Sequence, residues 1–280
     1  MKTDFHFHST FSDGSETVEH IFQAAHESGI RAVSLTDHDT VLGIPAEREA
    51  SRKYKVPFIP AAEFTAKENG IRFHVLGYRI DDRSDELIRY SHELLDYMNE
   101  RSKRQIQMMQ KNGIFLSEEA FFQNSGGGPL YRAKLLKVLA DHGYLEANQI
   151  MKLLLSYFGE NGPYYQEDRF PYRSFQEICA MIQRNGGIPV LAHPGKIKKK
   201  SEALYHTLIS SPLLGGLEVY HPANSEEVRT ELLATAKEKG LLCTGGTDYH
   251  GLFMKNPIPL GSEEMPDAVY RAMEEYLEIP

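Results

Sequence analysis

Asp4-Phe5-His6-Phe7-His8 opens the chain, and the β-rich run Ile30–Thr36, leading into Asp37-His38-Asp39-Thr40, follows about one helix length later. Each is a short run of apolar or alternating residues that ends in histidine and acid. The first alternates, which predicts a strand with both imidazoles on one face and Phe5 and Phe7 on the other. Between the two runs, Glu16–Ser28 predicts a helix, with Ser15 as its N-cap and Gly29 closing it. Strand, helix, strand with short connections is the repeating unit of parallel α/β architecture.

The rhythm extends outward from this unit. Pro45–Tyr54 predicts a helix, Val56–Ala61 a strand running into Ala62-Glu63-Phe64, and Arg72–Ile80 a strand containing His74. After a long interruption it resumes. Phe175–Asn185 and Ser225–Lys239 read as helices, and Pro266–Tyr276 as a closing one. Ile188–Ala192 reads as a strand ending at His193-Pro194-Gly195, Leu217–Tyr220 as one ending at His221-Pro222, and Leu241–Gly245 as one ending at Thr247-Asp248-Tyr249-His250. The interruption shows only helical periodicity, in Asp85–Asn112, Tyr131–His142 and Ala147–Phe158. Ser125-Gly126-Gly127-Gly128-Pro129 and Asn161-Gly162-Pro163 break it. The expected organisation is a barrel built from residues 1–80 and 175–280, with residues 81–174 as a helical insertion.

Composition narrows the class. The 280 residues carry 31 Lys+Arg and 39 Asp+Glu, a net charge of −8, which argues against binding nucleic acid through surface charge alone. A hydrophobic fraction of 41% excludes wholesale disorder. The two cysteines, Cys179 and Cys243, exclude a disulfide framework. No apolar run reaches the ~18 residues of a membrane span, and the N-terminus lacks a leader's apolar core. The chain reads as cytoplasmic, with no membrane association and no obligate protein partner.

The chemistry sits at the strand ends. In a (β/α) barrel these ends and the loops after them converge on one face. His6 and His8 are spaced to hold one ion. Glu63 lies so close to an apolar run that it needs a cation or strong hydrogen bonds. Asp37 and Asp39 flank His38 as carboxylates flank a ligand histidine. Asp13, His74, His193, Asp248 and His250 complete the set. Each alone has an ordinary reading, such as a turn aspartate or a core histidine; gathered on one face they read as a metal site. A set of imidazoles and carboxylates without thiolate suits Mn, Zn or Fe.

His6-Phe7-His8, Ser12-Asp13-Gly14, Thr36-Asp37-His38-Asp39, Glu63, His74, His193-Pro194 and Thr247-Asp248-Tyr249-His250 together resemble the PHP (polymerase and histidinol phosphatase) family of metallophosphoesterases. The motifs span nearly the whole chain in the family's order. The helical block lies where a subgroup carries an insert, that of nucleoside 3′,5′-bisphosphate phosphatases and 5′→3′ exoribonucleases. The resemblance implies a distorted (β/α)7, TIM-like barrel with an inserted small helical domain. It implies two or three divalent ions, manganese first, with zinc and iron as alternatives. His6, His8, Glu63 and Asp248 would hold one; Asp13, His38 and His250 a second; Glu63, His74 and His193 a third. One departure stands out. Where many subgroup members open a helix of the insert with Arg-Pro-His, this chain has Gly128-Pro129-Leu130.

The implied reaction is attack of a metal-bound hydroxide on phosphorus. Glu63 and Asp248 are expected to be catalytic, Asp248 by orienting the nucleophile. His221 is expected to protonate the leaving oxygen or bind phosphate. Arg132 and Lys196 are further substrate-binding candidates, Lys196 from a basic run, 196–200, read mostly as solvated loop. Gly126-Gly127-Gly128 is no P-loop, because no Lys-Ser/Thr follows. The expected activity is hydrolysis of a small phosphate ester, first the 3′-phosphate of a nucleoside 3′,5′-bisphosphate. Exonuclease action on short RNA and histidinol-phosphate-type hydrolysis are alternatives. A non-catalytic metal-binding module is the reading from another class, disfavoured because all nine ligand positions are filled.

Overall fold

A computed structural model describes residues 2–123, 128–254, 258–263 and 265–280. The glycines 126–127 of the expected break fall outside the described residues.

The first unit forms as β1 (Asp4–Phe7), α1 (Val18–Glu27) and β2 (Val33–Leu35), with β1 and β2 parallel. The N-cap of α1 is Thr17, whose side chain accepts from His20 N, rather than Ser15. Ser15 Oγ instead accepts from Leu252 N at 2.8 Å, tying the turn before α1 to the loop after the last strand. The register of β1 slips between Asp4 and Phe7. Phe5 therefore enters one apolar cluster and Phe7 another, against the expected shared face, while His6 and His8 both still reach the site.

After α2 (Ile44–Tyr54) the structure departs from a purely parallel sheet. The next strand is not Val56–Ala61; it is β3 (Ala61–Glu68), and it turns at once into β4 (Ile71–Tyr78) as an antiparallel hairpin. The cause is Asn69-Gly70, whose φ values of 49° and 81° make the two-residue turn that matches strand twist. Glu63 thus sits inside a strand, opposite Leu76, with His74 on the same face two residues away.

The helical block follows as α3 (Asp85–Lys111), α4 (Glu118–Gln123), α5 (Arg132–Asp141) and α6 (Ile150–Phe158). At 1.5 Å per residue, α3 is about 40 Å long. Its first turns bury Leu87 and Tyr90 in the main core. Its last turns bury Ile106 and Met109 in a separate cluster with Phe121, Leu136, Leu139 and Phe158.

The alternation then returns: α7 (Phe175–Arg184), β5 (Ile188–Leu191), α8 (Pro194–Lys200), α9 (Glu202–Ile209), β6 (Gly216–Tyr220), α10 (Glu226–Lys239), β7 (Leu242–Gly245) and α11 (Asp267–Glu274). Ser174 and Glu177 form a capping box at the start of α7. The lysine run is helix α8, entered through Pro194 in its first turn, not a solvated loop. β3 to β7 make one five-stranded sheet in chain order, with β4–β5 antiparallel and β5–β6–β7 parallel. Isolated bridges link the two sheets at both seams, His38–Glu63 and Val33–Phe58 on one side and Phe7–Tyr249 on the other. Among the described residues, no continuous ladder closes the ring. Between the sheets lies an apolar cluster of Phe5, Ala61, Leu76, Tyr78, Val190 and Ala192, joined by Val269, Tyr270 and Met273 of α11. Among the described residues, no helix is long and apolar enough to cross a membrane.

Candidate metal centre

Strand ends from both sheets bring all nine expected ligand residues to one place. His6 comes from β1 and His8 from the residue just after it, His38 from the turn after β2, Glu63 and His74 from the hairpin, and His193 from the junction between β5 and α8. Asp248 and His250 follow β7, and Asp13 comes from the turn before α1. His193 and Asp248 sit in left-handed backbone, at φ 31° and 55°. That conformation costs an ordinary residue roughly 1–2 kcal/mol and marks positions held for a reason beyond local preference.

Glu63 is the hub, fully buried. Its Oε2 lies 3.4 Å from His6 Nε2, 3.3 Å from His8 Nε2 and 3.1 Å from His38 Nδ1. Its Oε1 lies 3.0 Å from His74 Nδ1 and 2.9 Å from His193 Nε2, and those two nitrogens are 3.3 Å apart. Asp248 Oδ1 lies 3.5 Å from His6 Nε2 and 3.2 Å from His8 Nε2. Asp13 Oδ1 faces His250 Nε2 at 3.3 Å, with His8 Nδ1 and His38 Nε2 each at 3.9 Å.

These spacings fit divalent ions. Four donors at 2.0–2.1 Å from a central ion stand about 3.3–3.4 Å apart in a tetrahedron. The four contacts of His6 and His8 with Glu63 and Asp248 run from 3.2 to 3.5 Å. His6 Nε2, His8 Nε2, Asp13 Oδ1, His38 Nδ1 and Glu63 Oε2 are all buried with no hydrogen-bond partner, which is costly unless a cation fills the gap. The groups that could hold an ion include His6, His8, Glu63 and Asp248; His8, Asp13, His38 and His250; and His38, Glu63 and His74.

Electrostatics agree. Burial alone would push Glu63 up, yet the surrounding imidazoles, His74 and His38 first, hold it well below the usual carboxylate range. Asp248 is held well below the ordinary range against burial, by Lys196 and then His6. Burial opposes charge on His8, but Asp248 and Glu63 raise it to about 10. Burial drives His38 and His193 down to about 3, so both keep free lone pairs at neutral pH.

Supporting groups orient the cluster. Glu218, in the middle of β6 and fully buried, accepts from His193 N and pairs with His6 Nδ1 at 2.7 Å, which aims His6 Nε2 at the cluster. Glu218 was not singled out from sequence, although Leu217-Glu218-Val219 carries the signal that marked Glu63, an acid within an apolar strand. Asp37 and Asp39 do not hold His38 as expected. Asp37 accepts from Ser9 N, Ser9 Oγ and Ser12 Oγ, and Asp39 from Thr65 N, Thr65 Oγ1 and Tyr90 Oη. Each pins a neighbouring segment.

Beside the cluster opens a cavity of about 300 Å³. Asp13, His38, His74 and His193 line it, and so do five cations, Arg72, Arg101, Arg132, Lys196 and Lys200. Arg72 donates to Asp168 Oδ2 at 2.5 Å, and Arg101 Nη1 lies 3.5 Å from the same oxygen. Asp168 thus pairs with two of the three guanidinium groups, and Arg132 has no ion pair among the described residues. Arg101 sits in the buried register of α3 with Leu94, Met98 and Gln105, a pattern that could have exposed it as functional. Of the expected substrate-binding residues, Arg132 and Lys196 line the cavity and His221 does not. Lys196 Nζ lies 2.6 Å from Asp248 Oδ2. His221 is buried, takes a hydrogen bond from Ala223 N on Nδ1, and points Nε2 at Asp248 Oδ2, 3.4 Å away. Gly128 leaves no room for the arginine of the subgroup's triplet, since a Cβ there would lie 2.3 Å from Thr10 O, and Leu130 is fully buried.

Known proteins resemble this chain over most of its length. Over 92% of its length the chain is 30% identical to a phosphoribosyl 1,2-cyclic phosphate 1,2-diphosphodiesterase of Eggerthella lenta, covering 97% of that protein. Over 88% it is 26% identical to the 5′-3′ exoribonuclease Rnm of Escherichia coli, covering 84% of it. A solved structure from Bifidobacterium adolescentis, assigned as a metal-dependent phosphoesterase, superposes with a TM-score of 0.80 at 26% identity, over 98% of this chain and 96% of that one. Residues 4–166 match the PHP domain, and the chain belongs to that family.

Proposed function

We propose that this site hydrolyses a phosphate ester on a ribose that carries a second phosphate group. The chain is a metal-binding hydrolase of phosphoric ester bonds, and the finer reading concerns its substrate and residues. The observation that carries it is the cavity, in which four cluster residues and five cations face one space. Two negatively charged groups would be held there at once, one at the cluster and one at the arginines. The two sheets are read as the halves of a distorted seven-stranded barrel, with residues 81–174 as its helical insertion.

His6, His8, Glu63 and Asp248 would hold one ion, Asp13, His38 and His250 a second, and Glu63, His74 and His193 a third. Bound divalent ions would acidify a water and neutralise charge on the phosphoryl oxygens. Glu63, with both oxygens engaged, fixes the spacing between two of these groups. Asp248 presents Oδ1 to the cluster and Oδ2 to Lys196, so it orients the nucleophile. Lys196 lines the cavity and is placed to meet the phosphoryl group or the leaving oxygen. His221 acts through Asp248, its Nε2–H steadying Oδ2. Arg132, Arg101 and Arg72 bind the second phosphate.

A nucleoside 3′,5′-bisphosphate is the first candidate, with its 3′-phosphate released. A second reading, a 5-phosphorylated ribose 1,2-cyclic phosphate, is supported by the Eggerthella relative and by the cavity volume, at the low end for ligand pockets. The test is chromatographic detection of hydrolysis products, inorganic phosphate included, formed by Mn²⁺-reconstituted protein from adenosine 3′,5′-bisphosphate, the ribose cyclic phosphate, AMP, histidinol phosphate and a short RNA. Turnover of either doubly phosphorylated ribose in preference to AMP and histidinol phosphate is the expected result. Equal turnover of all monoesters would refute the second-phosphate reading, and turnover of RNA alone would assign an exonuclease.

A further inference from the structure

Among the described residues, the helical block meets the turn that carries Asp13 beside Thr10. Lys134, in the first turn of α5, is 3% exposed, and its Nζ donates to Thr10 O at 2.6 Å. The backbone of Gly128, just before α5, approaches the same carbonyl. Thr10 belongs to the turn Ser9–Gly14, closed by a hydrogen bond from Gly14 N to Ser9 O at 2.9 Å. Asp37 holds the turn from the sheet side, through Ser9 and Ser12. Lys134 holds it from the helical side, 124 residues away in sequence.

A lysine is a costly choice for mere packing here. Among the described residues, no carboxylate forms an ion pair with it; Asp37 and Asp13 attract it only from a distance. Burial pushes its ammonium down to about 8. An apolar residue would fill the same space between helix and turn without that penalty. What lysine adds is reach and a charged donor to a single carbonyl three residues before Asp13.

We propose that Lys134 is a positioning residue: by holding Thr10 O it sets the turn 9–14, places Asp13 opposite His38 and His250, and couples the helical block to that group of ligands. This rests on the reading of Asp13 as a metal ligand. Small displacements of ligand-orienting groups typically change metal affinity about 10–100-fold.

The experiment is Mn²⁺ titration of metal-free full-length protein by calorimetry, for the wild type, K134M, K134Q and D13A, with thermal melts of each metal-free protein. K134M is expected to weaken one Mn²⁺ equivalent about tenfold or more, to leave the others unchanged, and to melt no lower than the wild type. D13A is expected to weaken the same equivalent. Wild-type affinity at every equivalent in K134M, with one lost in D13A, would overturn the role of Lys134. Unchanged binding in D13A would overturn the ligand reading of Asp13, and the proposal with it. A lower melting temperature for K134M, with unaltered Mn²⁺ affinity in K134Q, would make Lys134 a packing residue and also overturn the proposal.

Discussion

Replacing Glu63 by glutamine keeps the shape of the hub and removes its charge. In the native chain the two carboxylate oxygens face five imidazole nitrogens at 2.9–3.4 Å. An amide can present its oxygen to one set only, His6, His8 and His38 or His74 and His193. The other set then meets an NH₂ group, which offers no lone pair to an ion. Removing one partner of a buried charge cluster costs about 3–5 kcal/mol, or about 10²–10⁴ in affinity. E63Q should therefore lose Mn²⁺ from the positions Glu63 serves and retain at most the ion held by Asp13, His38 and His250. Phosphate release should fall by a similar factor. The assay is metal content after gel filtration, paired with phosphate release. A variant with wild-type metal content and a rate close to wild type would refute the assignment of Glu63 as a shared ligand.

Three further outcomes are expected. Without metal, His8 titrates at about 10, above its ordinary value, so its stabilisation is complete below about pH 6.5 and fades as pH rises toward 10. Across pH 6.5–8 this amounts to on the order of 2 kcal/mol, and His6 shifts in the same direction. His38 and His193, at about 3 when folded, oppose this by only about 0.4 kcal/mol each, because they take up protons near pH 6.5 only in the unfolded chain. Urea melts of chelated protein should show stability falling from pH 6.5 to 8, and a flat or rising profile would contradict the electrostatics. R132M should raise KM for the doubly phosphorylated substrate by about 10–100-fold, the worth of a charged hydrogen bond, with little change in kcat; a change in kcat alone would place Arg132 elsewhere in the reaction. G70A should cost about 1–2 kcal/mol in a denaturant melt, because Gly70 holds φ 81° in the hairpin turn, and an unchanged midpoint would contradict that turn geometry.

Most of the candidate ligand set was legible in the sequence because its signal is chemical and local. Histidine or acid at the end of an apolar run is conspicuous wherever the run's exact boundary falls. The boundary of β3 was less legible. The apolar stretch Val56–Pro60 looks like a strand, yet only Phe58 bridges to a neighbour there, and the ladder begins at Ala61. Asn69-Gly70 held the missing information, a hairpin signal strong enough to override the expectation of a crossover. The slip in β1 that separates Phe5 from Phe7 has no sequence marker. The cavity's cations were legible only in part. Arg132 stood out beside a chain break, whereas Arg72 looks like any strand-edge arginine, and its role depends on Asp168, 96 positions away. Lys134 was hidden for a similar reason, since its partner is a backbone carbonyl that any residue supplies.

The most direct test of the central claim is anomalous diffraction at the manganese edge from crystals grown with Mn²⁺. The account predicts one peak at about 2.0–2.2 Å from His6 Nε2, His8 Nε2, Glu63 Oε2 and Asp248 Oδ1, with neighbouring peaks at Asp13–His38–His250 and at Glu63–His74–His193. Peaks confined to the protein surface, with these nine side chains ordered and metal-free, would contradict it.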